Sequence, residues 1–124
     1  MARTFVLIGA VLGGLGVLTG ALGGHQLKRV LDPEMLAVFQ TGVQYHLIHA
    51  LALLGVAAWL ARGGGRRATV AGWLMLAGVV LFSGSLYALA LTGVRILGLI
   101  TPFGGLSFIA GWTALAFDAW KGGA

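Results

Sequence analysis

The sequence predicts an all-α polytopic membrane protein, a bundle of four transmembrane helices, and three observations carry that expectation. Of 124 residues, 59% are hydrophobic and only 9% charged, where a soluble domain carries about a quarter charged residues. The charged clusters fall between four long apolar stretches. Each stretch is near the ~20 residues that a helix needs to cross a ~30 Å hydrocarbon core. An open sheet would leave backbone groups unpaired in lipid, and the alternation expected of barrel strands is missing, so helices remain.

The whole chain, 1–124, is expected to form one domain with helices over about Thr4–Gly24, Pro33–Ala61, Ala68–Thr92 and Pro102–Trp120. The first follows Arg3 and could be mistaken for a secretory signal, but its apolar run is longer than a signal core. Its glycines form small-residue rows, Gly9–Gly13 and Gly16–Gly20–Gly24, which allow helix backbones to approach closely. The second helix opens at Asp32-Pro33-Glu34, an N-cap, a first-turn proline and a carboxylate at the positive end of the helix dipole. From Pro33 to Ala61 it would be about 43 Å long, so Met35–Thr41 is expected to lie along the interface or bend near Gly42. The third helix follows the Gly63–Gly65 turn. The fourth repeats the start signal as Thr101-Pro102, after an apolar connector, Gly93–Thr101, that carries Arg95 alone.

Four crossings collect Arg3, Arg62, Arg66, Arg67 and Lys121 on one side and leave Lys28, Arg29 and Arg95 on the other. The positive-inside rule then predicts a multi-pass protein of the bacterial inner (plasma) membrane with both termini cytoplasmic. The net charge of +5 suits topology and anionic headgroups, not nucleic acid, for which no soluble surface exists. With no cysteine, thiol chemistry is excluded.

The polar residues crowd into the half away from that arginine-rich side. His25 ends the first helix, Tyr45, His46 and His49 lie early in the second, and Ser83, Ser85 and Tyr87 lie in the third. Arg95 and Thr101 follow. Ionisable groups at membrane depth are costly and therefore functional candidates. Hence His25, Tyr45, His49, Ser83, Ser85, Tyr87, Arg95 and Thr101 are expected to share one polar binding site, and Gly9, Gly13, Gly16, Gly20 and Gly24 to serve helix packing. His46 and His49 share a helix face and a metal site could be drawn with His25 and Asp32 or Glu34, but histidines bonded between helices explain them better, so no metal or cofactor is expected. Arg95 would either clasp carbonyls or meet an anion. Asp118 is expected to pair with Arg66, Arg67 or Lys121.

The runs Gly20-Ala21-Leu22-Gly23-Gly24-His25-Gln26-Leu27, Phe39-Gln40-Thr41-Gly42-Val43-Gln44-Tyr45-His46 with His49, and Phe82-Ser83-Gly84-Ser85-Leu86-Tyr87 resemble the bacterial DUF423 membrane family. So do Arg95, Leu97-Gly98, Ile100-Thr101-Pro102 and Gly104-Gly105. Gly24 stands where that family usually has alanine, and His46 where glutamine is common. The resemblance implies a small four-helix membrane protein with distant relatives in mitochondria and brings no activity with it.

From the residues, three functions compete. The first is an oligomeric binder or conduit for an ion, small polar solute or lipid headgroup. The second is an accessory or assembly subunit of a larger membrane complex. A metal- or histidine-dependent enzyme is the third and least favoured, because no catalytic motif supports it. Membrane lipids and either a homo-oligomer or a complex are the expected partners.

Overall fold

A computed structural model describes residues 1–123; Ala124, the end of the expected domain, lies outside the described residues. Among the described residues there are six α-helices: α1 (Ala2–Gly24), a single turn α2 (Leu27–Val30), α3 (Pro33–Ala61), α4 (Arg66–Gly78), α5 (Gly84–Thr92) and α6 (Thr101–Trp120). A π-helical segment, Val79–Ser83, joins α4 to α5 without a break, and a 3₁₀ turn, Arg95–Leu99, leads into α6. Among the described residues this makes four helical spans long and apolar enough to cross a membrane. The protein is an all-α membrane protein.

Local chemistry explains the boundaries. Asp32 caps α3, its Oδ1 accepting the Met35 amide at 2.8 Å with Pro33 in the first turn, and α3 then runs unbroken through Gly42. Gly93 ends α5 at φ 73°, a left-handed conformation that costs glycine no steric penalty, while its amide returns to Leu89 O at 2.8 Å. Thr101 does not cap α6; its hydroxyl is drawn instead to Ser85, 2.6 Å away.

Helix α3 is the hub, lying against α1 on one flank and against α4 and α5 on the other, while α6 lies along α4 and the π segment. Phe5 closes the bundle between α1 and α4. It fills the space over Gly72, meets the Trp73 ring edge at 5.1 Å, and belongs with Leu53, Val56, Ala57 and Met75 to the main core. A second core of Phe39, Val43 and Ala90 sits nearer the α2 end.

Glycines set the close approaches, though not in the rows read from sequence. A Cβ on Gly9 would press on Ala50 O and Leu54 Cδ2 at 3.0 Å, one on Gly16 would collide with Leu47, and one on Gly23 would meet Phe39 at 3.1 Å. These three glycines recur every seventh residue, the repeat that keeps one seam of a helix against its neighbour. Gly20 makes an ordinary contact with Val43 at 3.4 Å. Gly13 and Gly24 depart from the expected packing role: a Cβ on either would meet nothing within 4 Å, because both point out of the bundle. On α6, Gly104 lies against the backbone of Phe82 and Gly78 of α4 makes room for Phe108.

Candidate functional site

The polar side chains of the bundle form several separate arrangements that do not converge on one cavity. His46, 4% exposed, stands midway along α3 and bridges two other helices. Its Nε2 lies 2.7 Å from Leu12 O of α1 and its Nδ1 2.8 Å from the Tyr87 hydroxyl of α5. A carbonyl can only accept, so Nε2 carries the proton, and in the neutral ring Nδ1 accepts from Tyr87. Thr19 donates to Gly16 O at 3.0 Å and approaches Tyr87 Oη at 3.4 Å.

His49, one turn further on, has the opposite tautomer. The Trp112 indole N–H can only donate, and it points at His49 Nε2 from 3.0 Å; the proton therefore sits on Nδ1, which donates to Tyr45 O at 2.7 Å. The imidazole stacks on Phe108 with centroids 3.6 Å apart. Both nitrogens of both rings are thus engaged inside the protein. Among the described residues no three histidine, aspartate or glutamate side chains gather where a metal could sit.

The serines and threonine tie helices together. Ser83, fully buried in the π segment, donates to Gly42 O of α3 at 2.7 Å, and Ser85 bridges Phe82 O at 2.9 Å and Thr101 at 2.6 Å. Ser107 of α6 donates to Leu74 O at 2.7 Å. Two residues apart on this continuous helical span, Ser83 faces α3 and Ser85 faces the start of α6. Tyr45 packs its ring on Phe82 at 4.6 Å and keeps one edge exposed.

At the end of the bundle, Arg95 pairs with Glu34 at 3.4 Å, and both side chains are largely exposed. It touches neither the tyrosines nor the histidines. Such a pair is worth at most ~1 kcal/mol. His25 is also exposed, where α1 gives way to α2. There it lines a groove of about 690 Å³ with Gly24, Gln26, Lys28, Arg29 and Val30. A second groove, about 400 Å³ and lined by Leu18, Ala21 and Leu22, continues from the same His25 and Gln26 down the outer face of α1.

At the opposite end, Asp118 is wholly buried and its expected ion pair is replaced by other partners. Oδ2 accepts the Trp59 indole at 2.7 Å and the Gly65 amide at 2.9 Å. Gly65 precedes α4 without a capping side chain, so the carboxylate of α6 serves as its cap.

The profile of a family described as "Protein of unknown function (DUF423)" matches residues 19–105. The chain belongs to the DUF423 family. The matched segment holds His25, His46, His49, Tyr87, Arg95 and Thr101. Similar proteins extend the likeness to almost the whole DUF423 chain. A UPF0382 membrane protein of Bacillus subtilis (strain 168) is 48% identical over 121 residues, covering 96% of this chain and 98% of that protein. One from Staphylococcus haemolyticus is 43% identical, covering 96% and 97%. A protein of Escherichia coli (strain K12) named as a UPF0382 inner membrane protein is 38% identical, covering 96% and 92%. No solved structure matches significantly.

Sequence reasoning placed neither Thr19 nor Trp112 in the polar site of this DUF423 protein. Trp112 lies four residues after Phe108, and that helical spacing marks one aromatic face of α6 that could have been set against the Tyr45–His49 face of α3. For Thr19, an isolated hydroxyl among glycines, no signal in the sequence points to Tyr87.

Proposed function

We propose that this DUF423 protein is a membrane-embedded binder that takes the anionic headgroup of a lipid at the end of the bundle carrying His25. One observation carries the reading: the cationic groove and the apolar groove share His25 and Gln26, so they form a single track with a polar head and a carbon-lined tail. Lys28 and Arg29 supply charge and directed N–H donors for a phosphate, and Gln26 and His25 add further N–H donors. Leu18, Ala21 and Leu22 run from there into the hydrocarbon along α1, as an acyl chain attached to that phosphate would.

The interior supports a binder over a conduit. His46, His49, Ser83, Ser85 and Thr101 spend their hydrogen bonds on the bundle itself, and unsatisfied polar groups that could pass an ion from one face to the other are not what these residues offer. With both termini cytoplasmic, as the arginine-rich middle connection favours, the His25 groove opens on the non-cytoplasmic face of the bacterial inner membrane.

Native mass spectrometry on protein released from mild detergent with added phosphatidylglycerol tests this. The Lys28→Gln/Arg29→Gln variant should retain one fewer phosphatidylglycerol than the wild type. An unchanged lipid count would refute the reading.

A further inference from the structure

A separate groove follows the seam between α1 and α3 from the Arg3 end to the middle of the bundle. Its outer stretch, about 950 Å³, is bounded by Ala2, Arg3 and Leu7 on α1 and by Ala58 and Ala61 on α3. Its inner stretch, about 390 Å³, runs past Gly13, Gly14 and Val17 against Leu47 and Leu51. Ala10 and Leu54 line both stretches, so the groove is continuous. From Ala2 to Val17 it extends about 22 Å at the helical rise of 1.5 Å per residue.

Side-chain size shapes it. Gly9 lets α1 rest on Ala50 O of α3, which brings the two helices together, and the next positions outward, Gly13 and Gly14, leave open space where a Cβ would be. The adjoining face of α1 is different in kind, with Val11 and Leu15 exposed and large, as suits ordinary contact with lipid. A carbon-lined recess in a bilayer loses dispersion contacts unless something fills it.

Charge selects the occupant. Arg3 is the charge that lines the groove, and among the described residues the other exposed charges at this end of the chain's spans, Arg62, Arg66, Arg67 and Lys121, are positive too, while the carboxylate of Asp118 is buried. A second copy inserted in the same orientation would bring these like charges together, whereas a lipid phosphate complements them. We infer that the α1–α3 groove holds one acyl chain of an anionic phospholipid, with its phosphate at Arg3. This site is at the opposite end from the His25 groove, shares no residue with it and does not depend on it.

The full chain in lipid nanodiscs, doped with phospholipid bearing a photoactivatable acyl chain, tests the inference. Adducts should fall on Ala2–Val17 and Leu47–Ala61, and phosphatidylglycerol should label there about fivefold more than phosphatidylcholine, the worth of one basic residue beside an anionic headgroup. Arg3→Gln should remove that preference. Gly13→Leu should fill the groove and abolish its adducts without shifting thermal stability, since its side chain points into open space, and Gly14→Leu serves if Gly13→Leu does not fold. Labelling at Leu18–Arg29 should be unchanged in every one of these variants. Equal labelling by the two lipids, or groove adducts that survive the leucines, would overturn the inference. Groove positions left unlabelled by either lipid would also overturn it, a second copy then being the occupant.

Discussion

Replacing His46 by leucine should destabilise the bundle by about 2–4 kcal/mol, while replacing it by glutamine should cost less than ~1 kcal/mol. The structure gives the sum. His46 makes two interhelical hydrogen bonds, to Leu12 O at 2.7 Å and to Tyr87 Oη at 2.8 Å, and in membrane proteins each such bond is worth about 0.6 kcal/mol on average and up to ~1.7. Leucine also leaves the half-buried Tyr87 hydroxyl with Thr19 alone, at 3.4 Å, which adds part of the ~1–3 kcal/mol cost of an orphaned group. Glutamine offers one N–H donor for the carbonyl and one oxygen acceptor for the tyrosine, on a side chain of similar reach. Reversible unfolding in mixed micelles, followed by tryptophan fluorescence, reads the difference. Adding Tyr87→Phe to His46→Leu should cost little more than His46→Leu alone, because both remove the same bond. If His46→Leu unfolds with the wild type, or glutamine is as damaging as leucine, the bridging account of His46 fails.

Three further outcomes follow from the same geometry. Gly16→Leu should cost at least ~1–3 kcal/mol by overpacking against Leu47, whereas Gly13→Leu should leave the midpoint of thermal unfolding in detergent unchanged; equal effects would show that α1 is rotated from the described position. Asp118→Ala should destabilise by about 2–4 kcal/mol in the same micelle assay, because it strands the Trp59 indole and the Gly65 amide, and a silent substitution would remove the cap assigned to α4. A reporter fused after the last residue should read as cytoplasmic, and a periplasmic signal would reverse the orientation.

The spans were legible because lipid imposes a coarse rule, about 20 apolar residues closed by charge or a cap. Asp32 and Pro33 mark the start of α3 from their own chemistry and the cap is in place. What the rule does not carry is rotation. Helix α1 has glycine on every side, so the sequence could not say that Gly9, Gly16 and Gly23 face α3 while Gly13 and Gly24 face outward; that depends on which residues of α3 come opposite. The π segment was equally hidden, since Val79–Ser83 has no composition that distinguishes it from helix. The polar residues were recognisable as a set, but their grouping was not. Reading depth from the sequence puts His25, His49 and Arg95 in one half, whereas His49 lies past the middle of α3 against Trp112, Arg95 pairs with Glu34 at the end of the bundle and His25 is at the surface. Asp118 was read against the nearest cations in sequence, but a wholly buried carboxylate takes directed N–H donors from Trp59 and Gly65.

The central claim is that the interior histidines are committed to holding the helices while recognition belongs to the His25 end, and nitrogen-15 solid-state NMR of histidine-labelled protein tests both halves together. In neutral lipid, His46 should give the Nε2–H tautomer and His49 the Nδ1–H tautomer, each fixed by its partners. Replacing part of the neutral lipid with phosphatidylglycerol should shift the His25 resonances and leave the other two unmoved. Shifts at His46 or His49 with a silent His25 would contradict the account, because recognition would then run through the centre of the bundle.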